Sequence, residues 1–418
     1  MANPVEARVT SLYVHVPFCA QKCAYCAFYS EASSGELINR FVNALVREME
    51  IVADDLKPKT IFFGGGTPSL LNLRQWEQIL RAMEKLNLLS AREDARPTEF
   101  EFTVECNPAT VSADKAKLFR DFGVNRISMG VQSLDEKLLD RLGRIHSREM
   151  VFKSFDVLRH AGFENINLDL MFAIPTQTME IWRDTLREAM AMQSEHLSSY
   201  EVIYEDDTPL FEQLKAGVFS VDENLACEMY EELISSATRS GFHQYEIANF
   251  ARDISVKSKV QSPKSKASDV TTTLDFGHLT LDIPTYACKH NVNYWRGGDF
   301  YGLGPSATGY VRGVRTKNWS NTQLYCEQLE KGKRAIESSE ELPPLKRAGE
   351  TAAFGLRMNA GWPFAEFQRA TDFDLRKEWS SEMEQLTERG WAARDTEKFQ
   401  LTHQGLRFAD SAAELFLR

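Results

Sequence analysis

Long apolar runs are missing from this sequence: no stretch of 18 apolar residues occurs, so nothing in it reads as a membrane-spanning helix. The opening residues hold neither an apolar signal core nor the Arg/Ser-rich character of a transit segment. Basic side chains are outnumbered, 49 Lys and Arg against 60 Asp and Glu, and the resulting net charge of −11 repels phosphate backbones and anionic lipid surfaces on average. Cysteine is sparse, seven in 418 residues, which is no disulfide framework. The expectation is a cytoplasmic protein that is not integral to a membrane and has no nucleic-acid partner. A hydrophobic content of 43% permits ordinary buried cores, and the length suits about two to three domains.

The little cysteine present is concentrated. Within Ser11 to Ser30, SLYVHVPFCAQKCAYCAFYS, Cys19, Cys23 and Cys26 follow a short β-branched and aromatic strand. Three thiolates this close can face one inorganic cluster. A [4Fe–4S] cube has four iron corners, so three cysteines leave one iron open to a small-molecule ligand. A zinc knuckle would want a fourth ligand, usually from a second C-x-x-C pair, and the sequence has none. The spacing, with Tyr25 just before the last cysteine, resembles the signature of the radical S-adenosylmethionine (SAM) superfamily. That resemblance implies a [4Fe–4S] cluster on Cys19, Cys23 and Cys26, with SAM on the open iron.

The first half of the chain alternates strand and helix, the pattern of a parallel α/β sheet or barrel. Candidate strands are Leu12–Val16, Thr60–Phe63, Glu99–Val104, Arg126–Val131, Ile166–Ile174 and Leu197–Ile203. Amphipathic helices fit between them, among them Glu36–Asp54 and Leu73–Leu86. Six βα units fall short of a full eightfold barrel. The resemblance implies an α/β fold of this kind: an incomplete, laterally open (β/α)6 barrel over residues 1–250.

Polar motifs collect where these strands end: the cysteines, Gly64-Gly65-Gly66-Thr67-Pro68-Ser69, Glu105-Cys106-Asn107-Pro108, Gly130-Val131-Gln132-Ser133, and Asp169 before Pro175. In a barrel such ends share one mouth. Glycines allow a ligand close to the backbone, and this run lacks the Gly-Lys-Ser/Thr ending of a nucleotide P-loop. Likeness to the HemN-like branch of the superfamily implies that Gly65, Gly66 and Thr67 hold the methionine end of SAM. It also implies that Glu105, Gln132 and Asp169 lie along the SAM pocket, and that Tyr13 and Tyr25 flank the cofactor. Arg144, in Leu142-Gly143-Arg144-Ile145-His146, would pair with the SAM carboxylate, a role that suits a guanidinium fork.

Phe211–Gly217 and Asn224–Gly241 read as helices. Composition then changes: Ser255 to Ser268 holds five serines, four lysines and no aromatic residue, so 251–286 reads as a mostly flexible insertion. Residues 287–341 carry Cys288-Lys289-His290-Asn291-Val292-Asn293-Tyr294-Trp295 and a connector. Residues 342–418 read as a small helical, winged-helix-like C-terminal domain: helices Pro343–Met358, Pro363–Thr371 and Leu375–Arg389, then Trp391–Arg394 and Phe399–Leu401 as a hairpin. With 11 basic and 13 acidic side chains, residues 341–418 lack the charge of a DNA binder, and a scaffold or lid role suits them better.

The whole set of motifs is similar to the family of oxygen-independent coproporphyrinogen III oxidase (HemN) and the haem chaperone HemW. Phe28 stands where the oxidase has a fourth cysteine, only ten residues precede Ser11 where the oxidase has a long extension, and His290 to Trp295 matches the H-N-x-x-Y-W signature of the chaperones. The implied function is therefore haem binding and delivery to acceptor proteins, membrane-bound cytochromes among them, by a protein that keeps a radical SAM site and has no assigned catalytic side chain. His290 is the implied haem ligand, with Cys288 a second candidate. Two alternatives stay open at this point: oxidative decarboxylation of coproporphyrinogen III, and a relic whose cluster only stabilises the fold.

Overall fold

The computed structural model describes residues 7–32, 34–89, 100–254 and 283–417. Most of the expected Ser/Lys-rich insertion, 255–282, lies outside the described residues. The chain forms two compact units. One comprises Met1–Ser236, Phe300–Val311 and Arg315–Ser339; the other comprises Ala237–Asp299, Arg312–Val314 and Glu340–Arg418.

In the first unit six strands, β1 (Val9–Val16), β2 (Leu56–Gly65), β3 (Glu101–Cys106), β4 (Arg126–Gln132), β5 (Ile166–Phe172) and β6 (His196–Glu201), pair in parallel in chain order. The order is linear, so the sheet stays open, as six units without the remaining two require. Sheet burial is nearly continuous, BBBiBBB along β5, because helices pack on the sheet. Helix Gly35–Val52 starts at Ser34, whose hydroxyl accepts the Leu37 amide, and buries Phe41, Leu45 and Met49 at spacing 4. Helix Leu73–Lys85 opens on a reciprocal capping box between Asn72 and Gln75.

One strand was not expected. Tyr301–Leu303 pairs in parallel with the free side of β1, Tyr13 opposite Gly302. Within 287–341, residues 300–311 and 315–339 pack within the first unit. A three-residue strand is too short to show a period of two. The tie that holds it is a buried carboxylate. Glu48, on helix Gly35–Val52, accepts the Gly304 amide at 2.8 Å, Asn318 Nδ2 at 2.8 Å and the Tyr325 hydroxyl at 2.7 Å. Gly304 has φ +95°, and a Cβ there would stand 2.2 Å from the carbonyl oxygen of His15.

The second unit has two cores. Around helix Lys289–Trp295, Tyr245, Val292, Trp295 and Met358 pack together. The C-terminal part gathers Trp362, Phe367, Trp379, Phe399 and Phe416 beneath helices Pro344–Leu356 and Phe364–Thr371. The expected helix Leu375–Arg389 breaks at Trp379 (φ −124°, ψ 33°), which turns its indole wholly into this core. The expected hairpin, Ala392–Arg394 with Lys398–Leu401, gains a third strand, Trp362–Pro363. Among the described residues no helix is long and apolar enough to cross a membrane.

Glu48→Ala removes the acceptor of three buried donors, of which Asn318 Nδ2 keeps a second bond to Gly304 O at 3.0 Å, and each unsatisfied donor costs about 1–3 kcal/mol. The expected result is a fall of about 3 kcal/mol or more in unfolding free energy, measured by urea denaturation; an unchanged midpoint would show that the carboxylate ties nothing.

Candidate functional site

The cysteine loop leaves β1 and returns beside it. Cys19 N–H donates to Glu31 O at 3.1 Å and Glu31 N–H to Pro17 O at 2.8 Å, which closes the loop at its neck. Its middle is fixed by Ala24, whose amide donates to Leu142 O at 3.0 Å and whose carbonyl accepts Leu210 N–H at 2.9 Å. His15, two residues past Tyr13 on the same strand, bonds Tyr29 O through Nε2 at 2.9 Å and Tyr13 Oη through Nδ1 at 3.1 Å. All three loop cysteines are free and half-buried.

Among the described residues no three ligands converge on a single ion position. Thr67 Oγ1 lies 3.6 Å from Cys19 Sγ, Arg144 Nη1 donates to Cys23 Sγ at 3.3 Å, and the Phe28 amide donates to Cys26.

The glycine turn after β2 is shaped first by its protein neighbours. A Cβ on Gly65 (φ +106°) would meet the His15 ring at 2.6 Å, and one on Gly66 would meet Phe18 O at 2.7 Å. The turn's amides are engaged: Gly65 N–H with the Glu105 carboxylate, Gly66 N–H with Val16 O and Thr67 N–H with Phe18 O. What it can offer a ligand is carbonyl oxygen, an acceptor suited to an ammonium group rather than to a carboxylate.

Every residue named for the site from the sequence lines one cavity of about 510 Å³, except Tyr13 and His290. The cavity brings together the three cysteines, Tyr25, Gly65, Gly66, Thr67, Glu105, Gln132, Arg144 and Asp169. Gln132 sits at a bulge closing β4 with φ +65°, a left-handed conformation rare for a side-chain-bearing residue and typical of strand ends at sites. Arg144 Nη2 donates to Gly130 O at 2.8 Å, and its Nε is buried without a partner, a donor still open to a ligand. Free donor capacity on a guanidinium, acceptor carbonyls on the turn and three free thiols together fit SAM and a cluster.

Two carboxyls share the cavity floor. Burial, and the neighbouring Asp169, push Glu105 up to about 8; burial pushes Asp169 up to about 6 although Ser128, Arg126 and Asn167 pull it back. Ser128 Oγ donates to Asp169 at 2.9 Å, Asn167 Nδ2 donates to it at 2.8 Å, and Asn167 Oδ1 in turn bonds His196 Nδ1 at 2.6 Å. Asn167 and His15 were not singled out from the sequence, yet each lies two residues from a residue that was, on the same strand face. Cys106 also lines the cavity, but burial lifts its thiol to about 12, so it stays protonated.

Tyr13 does not reach the cavity; it orients His15 instead. His290 lies in the second unit, 1% exposed, with Nε2 bonded to Tyr294 Oη at 2.6 Å. Cys288 is fully buried. As placed, the His290 imidazole is buried and its Nε2 is engaged by the Tyr294 hydroxyl.

A carboxyl raised in the folded state gives stability that is complete below its unfolded pKa and is lost as pH rises through the folded one. For Glu105 that window runs from about 4.5 to about 8. The cluster-free protein should therefore lose melting temperature between pH 5 and 8, and Glu105→Gln should flatten that fall. Parallel melting curves for the two proteins would remove Glu105 as its source.

Comparison with known proteins agrees with this geometry. Residues 13–189 match the Radical SAM superfamily and residues 342–408 the HemN C-terminal domain. The heme chaperone HemW of Bacillus subtilis is 32% identical over 412 residues, covering 97% of this chain and 99% of that protein. The heme chaperones HemW of Lactococcus lactis (30% identity, 97% of both chains) and Escherichia coli (31%, 97% of this chain and 98% of that one) are similar throughout. Among solved structures, the coproporphyrinogen III oxidase HemN of Escherichia coli superposes with a TM-score of 0.77 over 98% of this chain and 90% of that one, at 21% identity, a likeness of fold. With its open sheet, its cysteine loop and relatives alike from end to end, the chain belongs to the HemW family of the radical SAM superfamily.

Proposed function

We propose that this protein binds haem and hands it to acceptor proteins while carrying a [4Fe–4S] cluster and SAM. The end-to-end likeness to proteins named heme chaperone carries this reading. Cys19, Cys23 and Cys26 would hold the cluster. Arg144 would take the SAM carboxylate, the glycine-turn carbonyls its ammonium, and Glu105 and Asp169 its ribose hydroxyls. When bound and reduced, such a cluster supplies an electron to the SAM sulfonium.

The cavity's charge speaks against the alternative of coproporphyrinogen decarboxylation. Its lining holds four carboxyl groups, Glu105, Asp169, Glu201 and Glu205, of which burial and Asp169 hold Glu105 protonated at neutral pH, against one guanidinium, Arg144. A tetrapropionate substrate brought there would meet like charge with a single cation to answer it. Phe28, 70% exposed at the cavity mouth, offers apolar surface where the oxidase has a cysteine.

Anaerobic reconstitution should give about four irons and four sulfides per chain, abolished by Ser at Cys19, Cys23 or Cys26 and kept by Ser at Cys106, Cys227, Cys288 or Cys326. Arg144→Ala should weaken SAM binding by about 1.5–3 kcal/mol, the worth of a charge-assisted hydrogen bond, with the cluster retained. Calorimetry showing unchanged affinity would remove Arg144 from the SAM site.

Haem is proposed to ligate at His290 after the Tyr294 hydroxyl gives way, since a neutral imidazole is a good axial ligand. His290→Ala should shift the Soret band and weaken haem retention while leaving cluster and SAM binding intact. Tyr294→Phe, which frees Nε2, should strengthen haem uptake. An unaltered haem spectrum and affinity in His290→Ala would make the histidine structural, and Cys288 would be tested next. A coproporphyrinogen turnover assay run on the same reconstituted protein should be negative; turnover would replace the chaperone reading by the oxidase one.

A further inference from the structure

The three clustered sulfurs do not have equal surroundings. Cys19 faces a hydroxyl, Thr67, and Cys26 a backbone amide, Phe28, with the Lys22 ammonium acting on Cys26 through space as the smallest of the influences on it. Cys23 receives two side chains: Arg144 Nη1 at 3.3 Å and the Tyr25 hydroxyl. Arg144 also donates to Tyr25, so the three side chains close a triangle, anchored from behind by Arg144 Nη2 on Gly130 O at 2.8 Å. Among the described residues no carboxylate makes an ion pair with Arg144. A charged fork held in a half-buried place without a carboxylate partner is paired with a sulfur instead.

We infer that Arg144, backed by Tyr25, tunes the cluster's reduction potential through Cys23, a role separate from holding SAM. This rests on the proposal that Cys19, Cys23 and Cys26 ligate a [4Fe–4S] cluster. Reduction adds one negative charge to the cluster, and part of that charge resides on the ligating sulfurs. A hydrogen bond to a ligating sulfur stabilises the added charge, and a nearby cation stabilises it further, so both raise the midpoint potential. The cation counts for more here than at an exposed site because solvent screens it less. Cys23 would then be the corner through which the protein sets how readily an electron is accepted, before any SAM is present.

The test is a potentiometric titration of the anaerobically reconstituted full-length protein without SAM, followed by the EPR signal of the reduced cluster, with iron and sulfide counted in each sample. Arg144→Gln, which removes the charge, should shift the midpoint to a more negative potential at unchanged iron content. Tyr25→Phe, which removes one neutral donor, should shift it the same way by less, and Arg144→Lys, which keeps the charge, should stay nearer the parent. Arg144→Gln with a full cluster and the parent potential would overturn the inference. If that variant held no cluster, Tyr25→Phe decides: a potential equal to the parent's would overturn it equally. A parent protein that takes up no cluster at all would instead sink the ligand assignment beneath it, a result read from the iron count alone.

Discussion

Two backbone hydrogen bonds join the cysteine loop to the glycine turn, Gly66 N–H to Val16 O and Thr67 N–H to Phe18 O, each 2.8 Å long. Nearly everything in the site depends on them. They fix the end of β1 against the end of β2 one residue beyond the regular ladder, and so set where the first thiol starts. The close approach they need explains the glycines, because a Cβ at Gly66 would collide with the carbonyls that accept these bonds. The His15 ring lies over Gly65 and bonds Tyr29 O on the far side of the loop, so one imidazole steadies both the entry and the exit of the thiol-bearing segment.

The charge in the cavity follows from where the strands stop. Parallel strands deliver the residue after each last pair to a common mouth. Here carboxyls stand on the strands close to that mouth: Glu105 one residue before the end of β3, Asp169 within β5 and Glu201 at the end of β6. Burial raises two of them, Glu105 to about 8 and Asp169 to about 6, and Arg144 spends its donors on Cys23 Sγ and Gly130 O instead. The one strong cation of the cavity stays available to sulfur and to a ligand's carboxylate.

Much of this was legible in the sequence because it depends on local chemistry. Six strands with helices between them are written in hydrophobic period, and cysteine spacing fixes a loop whatever surrounds it. Arg144 could be named because its neighbours form a recognisable run. What stayed hidden depends on contacts made across the chain. Tyr301–Leu303 has no periodicity of its own and becomes a strand only because β1 offers an unpaired edge. Tyr13 alternates correctly toward the same sheet face as His15, but β-strand alternation gives a face and not a depth, and its hydroxyl stops at the histidine. The helix that carries His290 is drawn into a core by Val292 and Trp295, and the bond from its Nε2 to Tyr294 Oη is a contact the motif does not spell out.

Glu48 bears on how the chain is made. Its three partners lie 256 to 277 residues further along, so the carboxylate buried under the first helix of the sheet has no acceptor duty to perform until Tyr325 has been synthesised. A ribosome adding roughly 5–20 residues per second takes tens of seconds to cover that distance. During that interval the sheet has an unpaired edge at β1, and Glu48 has water in place of its later protein partners. Such an edge is a template for pairing with another chain. The first unit is therefore completed only by a distant segment, and cutting the chain after the sixth strand would leave β1 without its neighbour and Glu48 without its three protein partners.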